Sequence, residues 1–529
     1  MRAVCRSAAL AGLVMAGLVM GAPPATAAPA GSAHVLLVGT YDGVHGQYSS
    51  IQAAVDAAKP GDWVLIAPGD WKTTGSWSPP GQDDMPAGVY VATPDIHIRG
   101  MNRNTTVIDG TKPGTPECST TTADQNFGPV EGGQAEGLNG IMVWKADNVS
   151  VDNLTVCNFL GGAGGDGQTG NEIWWNGGAN SAKVGGWGYE GSYLTATSTY
   201  YGSESTAAQY GIFSSNWSGG TWNDTYASNF NDSGYYIGAC QQVCDQTVDH
   251  AWAEYNALGY SGSNSGGSLV VENSLFDKNE DGFDTNSQNG DNPPPQNGQC
   301  PDGAISPITH TRSCWVFMDN ISYDNNNPDV PAQGSAAAGP VGTGMSLSGA
   351  RNDTVMDNLF LDNGAWGTIL VPYPDSGAPC TGGTLTPALC LFDEYGDAVI
   401  GNTYLDNGFF HNPTNGDIAA VNLEPGATDC FGGNVEYGGG APVTSPPLLQ
   451  TLFPSCTGAT TAPDLNAVFL DQVACDSESI SIGPIAGGAT CLPGTHYPRL
   501  TKVDMHPLPD DLGTMPDPCA GVPSNPWCP

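Results

Sequence analysis

The sequence predicts an all-β solenoid, a stack of short parallel strands wound into coils. Seven segments that open on glycine recur along the 529-residue chain, at Gly140, Gly211, Gly234, Gly259, Gly282, Gly344 and Gly367. The steps from 211 to 234, 234 to 259, 259 to 282 and 344 to 367 are 23, 25, 23 and 23 residues. A unit of that size cannot bury its own apolar face and must stack on neighbours. Inside each segment the side chains alternate with the period of two that marks a strand. The first position after glycine reads Ile141, Ile212, Tyr235, Tyr260, Phe283, Met345 and Thr368, a mostly large and apolar inward column. The next position reads Met142, Phe213, Tyr236, Ser261, Asp284, Ser346 and Ile369, and it turns polar at its centre.

Each part of the chain has a place in such a stack. Arg2 and Arg6 precede the apolar run from Ala8 to Met20, and Ala25-Thr26-Ala27 offers small residues for cleavage. This is the pattern of a secretory signal over residues 1–27, so an exported, extracellular chain is expected from Ala28 onward. No later apolar run approaches that length, and no membrane insertion is expected. The entry segment holds a short amphipathic helix (Ile51, Ala54, Val55, Ala58), an apolar strand over Trp63–Ala67, and further strands at Val89, Ile96 and Thr106. A helix there caps the open end of a solenoid, where strand edges are otherwise unpaired.

From about 140 to 425 a second strand type alternates with the glycine-led one, at 149–159, 220–230, 247–256, 269–279, 316–326, 354–363 and 398–407. Most of these end in asparagine, which tolerates left-handed backbone and bonds neighbouring main chain. Asn158, Asn229, Asn256, Asn279 and Asn363 are therefore assigned to a structural corner column. A β-helix domain over 28–425 is expected, followed by an irregular cysteine-rich segment over 426–529 that packs on the solenoid.

Composition narrows the partners. The formal net charge is −39, with 14 basic against 53 acidic residues. Such a chain repels nucleic acid and anionic membranes, and it disfavours an unassisted polyanionic substrate. Of the 15 cysteines, Cys5 leaves with the signal, and an even number in an exported chain implies disulfides. Cys240/Cys244, Cys300/Cys314 and Cys380/Cys390 are spaced as local staples.

The stretch SIQAAVDAAKPGDWVLIAPGDW, residues 50–71, resembles the opening segment of right-handed parallel β-helix proteins of the pectate-lyase-like superfamily. The asparagine-ended repeats agree, and the resemblance spans roughly residues 35–425. It implies a right-handed parallel β-helix and, as a class, proteins that act on or bind polysaccharide. One local match is sharper: Asn279-Glu280-Asp281-Gly282-Phe283-Asp284 resembles an acidic motif of one pectate lyase family, in which such carboxylates hold calcium. Carried over, Glu280, Asp281 and Asp284 are the candidate Ca2+ ligands. That family pairs the site with a downstream lysine as base, whereas after Lys278 this chain has only Lys502. Arg312 and Arg351 are the available substitutes.

Position supplies the rest of the candidate site. With the coils in consecutive register, Ser261 and Ser346 flank Asp284 at about 4.8 Å. Ser263, Asn286 and Ser348 form a second outward row, a hydroxyl, amide and carboxylate strip suited to sugar hydroxyls. The step from Gly282 to Gly344 carries two insertions, roughly 288–314 and 327–342, expected to wall a cleft over Asp284. His310 and Arg312 lie in the first insertion as candidate acid/base and anion clamp, and Arg351 follows the strip. Asp281 with Asp284, or Asp284 with Asp291 or Asp302, offers the carboxylate pair of a hydrolase. Trp174, Trp175 and Trp187 sit in a glycine-rich stretch, either as sugar-stacking rings or as indoles buried under a loop. The expected function is a carbohydrate-active lyase or glycoside hydrolase acting as a monomer. A non-catalytic glycan-binding β-helix is the second reading. An epimerase is the third, with Tyr236 and Asp284 as its suggestive pair.

Overall fold

The computed structural model describes residues 33–529, apart from 74–76, 83–84, 163–167, 179–182, 241–242, 291–293, 333, 335, 388, 422–428, 455–465, 478–493, 499–501 and 511. The expected signal segment and Asp291 lie outside the described residues.

The alternating glycine-led segments form one parallel sheet of eleven strands, running from Ala87–Val91 to Thr444–Ser445. Its central members are Tyr210–Ser215, Ser233–Gly238, Leu258–Ser263, Asp281–Asn286, Thr343–Ser348 and Trp366–Val371. A second parallel sheet of nineteen strands wraps the other two faces, which closes the coil into a right-handed parallel β-helix. In early coils the second sheet uses nine-residue strands, such as Val149–Cys157 and Gly220–Ser228. These bend at single left-handed residues, Asn153 (φ 56°), Tyr193 (50°), Asp224 (54°) and His250 (52°). Later coils break there into two strands, as at Leu269–Glu272 and Leu275–Asp277 around Asn273.

The inward column is as the alternation requires: Ile141, Ile212, Tyr235, Tyr260, Phe283, Met345 and Thr368 are all fully buried. Tyr260 stacks on Phe283 with ring centroids 4.1 Å apart. A second aromatic column, Phe317, Phe360 and Tyr404, fills the opposite wall. Each such ring buried contributes roughly 1.5–3 kcal/mol.

Two features of the stack differ from expectation. A rung without a leading glycine occupies Asn171–Asn176, with Ile173 paired to Ile141 and Ile212. Glu172 takes the glycine place, and its buried carboxylate accepts the Phe159 N–H at 3.2 Å. Coils also continue past residue 425, because Cys430–Gly432 and Val435–Glu436 extend the second sheet and Thr444–Ser445 pairs with Ile418–Ala419.

The corner asparagines form ladders. The side-chain oxygen of each accepts the N–H of its counterpart one coil earlier: Asn256 to Asn279 (3.0 Å), Asn279 to Asn325 (3.2 Å), Asn325 to Asn363 (3.2 Å) and Asn363 to Asn407 (3.2 Å). A parallel ladder, Asn320 to Asn358, Asn402 and Asn434, runs beside it at 2.9–3.0 Å. Asn158 and Asn229 are left-handed themselves, at φ 59° and 68°. In later coils the preceding residue is left-handed instead, as at Tyr255, Lys278 and Asp362.

The N-terminal helix Ile51–Ala57 is capped by the Ser50 hydroxyl and buries Ile51, Ala54 and Val55. Past the last coil, the helix Ala467–Asp476 lays Phe469 and Val473 on Trp366, Ile369 and Ala419. The terminal stretch then runs back along the stack. Asp504 bonds Asp329, His506 stacks on Tyr255 at 3.6 Å, Gly513 and Ala520 accept from Arg103 and Arg99, and Trp527 donates to Val44. Disulfides join Cys118–Cys157, Cys240–Cys244, Cys300–Cys314, Cys380–Cys390 and Cys519–Cys528. Among the described residues no helix is long and apolar enough to cross a membrane.

Candidate active site

The outward face of the glycine-led sheet is covered along most of its length, not laid open as a groove. Ser261, Ser263, Asn286, Ser346 and Ser348 are all buried, and Asp284 is 9% exposed. The register is the expected one, with Asp284 paired to Ser261 on one side and Ser346 on the other. What covers this face is the 338–340 segment, the turn at Pro372–Pro374, and the helix Ala467–Asp476. Between them remains a pocket of about 70 Å³ with Asp284, Ser346 and Ser348 on its floor. Ile369, Val371 and Tyr373 flank the floor, and Leu470, Val473 and Ser477 form the roof.

Hydrogen bonds fix the two carboxylates. The Asp284 Oδ1 accepts from Ser348 Oγ at 2.7 Å, and its Oδ2 accepts from Asn286 Nδ2 at 2.8 Å. Asn286 is oriented in turn by Ser263, whose hydroxyl donates to it at 2.8 Å. Asp281 lies behind the floor, where its Oδ2 accepts from Ser346 Oγ at 2.6 Å and its Oδ1 from the Phe283 N–H at 3.2 Å. Burial pushes the Asp284 carboxyl up to about 6, against the lowering effect of Asn286 and Ser348. Burial and then the Asp284 charge hold Asp281 well above the ordinary carboxylate range. Burial thus favours the neutral form of both carboxyls, and the Asp284 charge adds to this at Asp281.

The other candidate residues fall elsewhere. The 327–342 insertion walls the pocket through Ala338, Gly339 and Pro340, and is anchored by Val330 and Ala336 packing on Leu258. The 288–314 insertion does not reach over Asp284. Gln296 tucks inward to Thr285 and Asp353, and the Cys300–Cys314 hairpin projects from the neighbouring face. His310, Arg312 and Asp302 are exposed on that hairpin and line no part of the pocket. Arg351 lies over the Tyr395 ring at 4.6 Å and donates to the carbonyls of Asp393 and Gly382. Tyr236 is two rungs from Asp284, separated by Ser261, so the suggestive epimerase pair is not in contact.

Trp175 is a core residue facing inward, fully buried. Trp174 faces outward but is 3% exposed, stacked on Phe213 at 4.8 Å, with Phe213 in turn edge-on to Tyr236. Trp187 alone of the three is exposed.

The three candidate calcium ligands are not gathered at the pocket: Asp284 lies on its floor, Asp281 behind it, and Glu280 outside its lining. Among the described residues, three metal-capable atoms lie within 4.8 Å of one another only at Asp109, Cys118 and Cys157, where the two sulfurs form a disulfide.

The roof and Tyr373 were not foreseen from the sequence. A signal for them exists: Ile369 and Val371 turn the outward column apolar after Ser346 and Ser348, which requires an apolar cover.

No family model and no curated protein matches the sequence. In fold the chain is similar to the A-module of a mannuronan C-5 epimerase from Azotobacter vinelandii, at 13% identity and TM-score 0.43 over 73% of this chain and 88% of that one. It is similar to an alginate lyase from a Paenibacillus species, at 11% identity and TM-score 0.34 over 77% and 96%. It is also similar to the pectate lyase Pel9A, at 14% identity and TM-score 0.36 over 77% and 76%. Likeness at these identities concerns the fold alone.

Proposed function

We propose that this protein is an extracellular carbohydrate-active β-helix enzyme that hydrolyses glycosidic bonds in a neutral polysaccharide, with Asp284 and Asp281 as its carboxylate pair. The observation that carries this reading is a pair of neighbouring buried carboxyls, with Asp284 on the pocket floor and raised to about 6, and Asp281 behind it, raised by burial and by the Asp284 charge. Glycoside hydrolysis needs one carboxylic acid to protonate the leaving oxygen and one carboxylate to act as base or nucleophile. Asp284 reaches the pocket and takes the carboxylate role. Asp281 is the proton reservoir, linked to the floor through Ser346. Tyr373 and the flanking prolines supply the flat apolar surface on which sugar rings rest.

A lyase or epimerase acting on uronates needs a cation to neutralise the sugar carboxylate. Among the described residues, those lining the pocket include no Lys, Arg or His, and this, with the acidic composition, favours a neutral glycan.

The test is incubation with a panel of neutral and uronate glycans, following reducing ends and ultraviolet absorbance. New reducing ends from a neutral glycan are expected, with kcat/KM rising as pH passes about 6, because the base must be ionised. Asp284→Asn is expected to lower the rate by about 10²–10⁴-fold. Absorbance from uronate glycans, or no product from any glycan, overturns the hydrolase reading. The non-catalytic reading draws on the hydrogen bond that each Asp284 oxygen accepts from Ser348 or Asn286, and predicts glycan binding that survives Asp284→Asn together with Asp281→Asn.

A further inference from the structure

The outward face of the second sheet carries an apolar strip that the pocket does not use. On five successive coils the strands Leu275–Asp277, Ile321–Tyr323, Leu359–Leu361, Thr403–Leu405 and Val435–Glu436 stack in parallel register. Phe276, Phe360 and Tyr404 are buried and point inward, so the residues on either side of them point out. One outward column reads Leu275, Ile321, Leu359, Thr403 and Val435. The next, headed by the buried Asp277, reads Tyr323, Leu361 and Leu405. Ile321 and Val435 are each 40% exposed, and the other apolar members of both columns are half-buried.

In the earlier coils the same face is covered by polypeptide. Ile321 continues, through Leu275 and Trp252, the column of Thr155, Thr195 and Tyr226. Those three are buried. Thr155 donates to the Arg103 carbonyl, Thr195 accepts from Arg103 Nε, and the Gly513 carbonyl accepts from Arg103 at 2.9 Å. The terminal stretch passes there from Asn229, which it meets at His506, to Asn153, which it meets at Thr514. From Leu275 onward the column reaches solvent.

Two columns of carboxylates edge the bare part. Asp319 and Asp357 stand at its leading corner, and Asp324, Asp362 and Asp406 at its trailing corner. All five are exposed and left-handed, at φ 52–57°. Lys278 heads the trailing column, but it is paired with Glu254 at 2.9 Å and Asp277 at 2.7 Å. The strip thus presents apolar surface and negative charge, and its partner must supply apolar surface and positive charge. A second copy of this chain would set acidic columns against acidic columns, and the net charge of −39 adds to that repulsion.

Dimensions narrow the occupant further. Five coils at ~4.8 Å make a strip roughly 19 Å long, with its acidic columns at most about 16 Å apart along a strand. An α-helix with its side chains is about 10–12 Å across, and about 13 residues of it cover that length. We infer that this strip docks a basic amphipathic α-helix of a partner protein, its apolar stripe on Leu359 and Leu361 and its lysines or arginines over the two aspartate columns. A footprint of roughly 300 Å² per side places the contact in the weak, reversible class.

The experiment titrates the full chain with a fluorescent synthetic peptide of about 18 residues, long enough to hold a helix, with leucine on one helical face and lysine along both edges. It is run at about 0.15 M NaCl, which screens the diffuse attraction of an acidic chain for any cation. The wild type is expected to bind one peptide per chain. Ile321→Asn together with Leu361→Asn is expected to weaken binding about tenfold or more, because apolar burial is lost. Asp324→Asn together with Asp362→Asn is expected to weaken it and to flatten its salt dependence. Val130→Asn, at an exposed apolar site elsewhere, is expected to change nothing. Should the first pair not fold, Val435→Asn is measured in the same way. No binding, or equal binding by the wild type and the apolar-strip variant, overturns the inference. A wild-type dimer in sedimentation that Ile321→Asn separates also overturns it, in favour of a second copy.

Discussion

At the scale of single residues, the corner asparagines show how a side chain can stand in for a sheet. Asn358 is buried; its amide donates to the Phe317 carbonyl and to Asn402 Oδ1, both at 2.9 Å, while its oxygen accepts the Asn320 N–H. Replacing it with alanine strands a buried carbonyl and a buried N–H at once. Asn358→Ala is expected to destabilise by about 2–3 kcal/mol, read as a shift of the denaturation midpoint at unchanged m-value. Asn358→Asp is the sharper test, because the acceptor survives and the donor does not. The ladder at Asn279, Asn325 and Asn363 was readable as a column of asparagines that end the second strand type. Its twin at Asn320, Asn358 and Asn402 sits five residues earlier in each coil, after a left-handed Asp or Gly, and was written in the sequence as a repeated Asp-Asn or Gly-Asn pair. Glu172 marks the opposite limit. A rung that substitutes glutamate for glycine leaves no period to detect, and Trp174 and Trp175 then resemble loop residues when they belong to a strand.

At the scale of elements, the helix Ala467–Asp476 decides the character of the site. It stacks Phe469 edge-on to Trp366, with centroids 5.5 Å apart, and presents Leu470, Val473 and Ser477 to the pocket above Asp284. Phe469 is fully buried, so Phe469→Ala is expected to cost about 3–5 kcal/mol in docking of the helix. Hydrogen exchange of the helix amides checks this: they lose protection, while the ladder amides at Asn279 and Asn325 keep theirs. If the helix only encloses the site, Phe469→Ala raises KM for glycan more than it lowers kcat. Sequence periodicity could place Asp284 outward because the strand alternation is local. It could not show that outward would still mean buried, since the roof helix comes from more than a hundred residues downstream.

At the scale of the molecule, two long-range arrangements set stability. The terminal stretch from Lys502 to Trp527 runs opposite to the coil stack and supplies carbonyl acceptors to Arg99 and Arg103. Arg103 is otherwise fixed by Thr195 and the Leu194 carbonyl, and burial lowers it to about 10. Removing residues 503–529 takes away three bonds to charged donors, each worth about 1.5–3 kcal/mol. The unfolding midpoint of such a truncated chain is expected to fall, first in the coils around Asn153 and Asn229. The buried carboxyls act in the other direction with pH. Asp152 and Asp284 are each pushed up to about 6 by burial. A raised folded-state value means that their stabilising contribution is complete below the unfolded value near 3.9 and is lost as pH rises through about 6. The molecule is therefore expected to be less stable at pH 8 than at pH 5, by about 1 kcal/mol for each of these groups. Thermal unfolding at both values, in chelator, measures it.

The sequence by itself determined the coil, because stacking needs only a short period and an alternating face, and both are local. It determined the inward aromatic column, the capping helix, three of the disulfides and the lone outward carboxylate of the polar strip. The tertiary structure alone decided which insertion walls the pocket, that His310, Arg312 and Arg351 stand apart from it, and that Asp284 alone of the three candidate calcium ligands lines it. The reason is physical: a solenoid fixes neighbours one coil apart by hydrogen bonding, but loops and tails choose their resting place by the apolar surface left uncovered. That surface exists only once the coils have stacked.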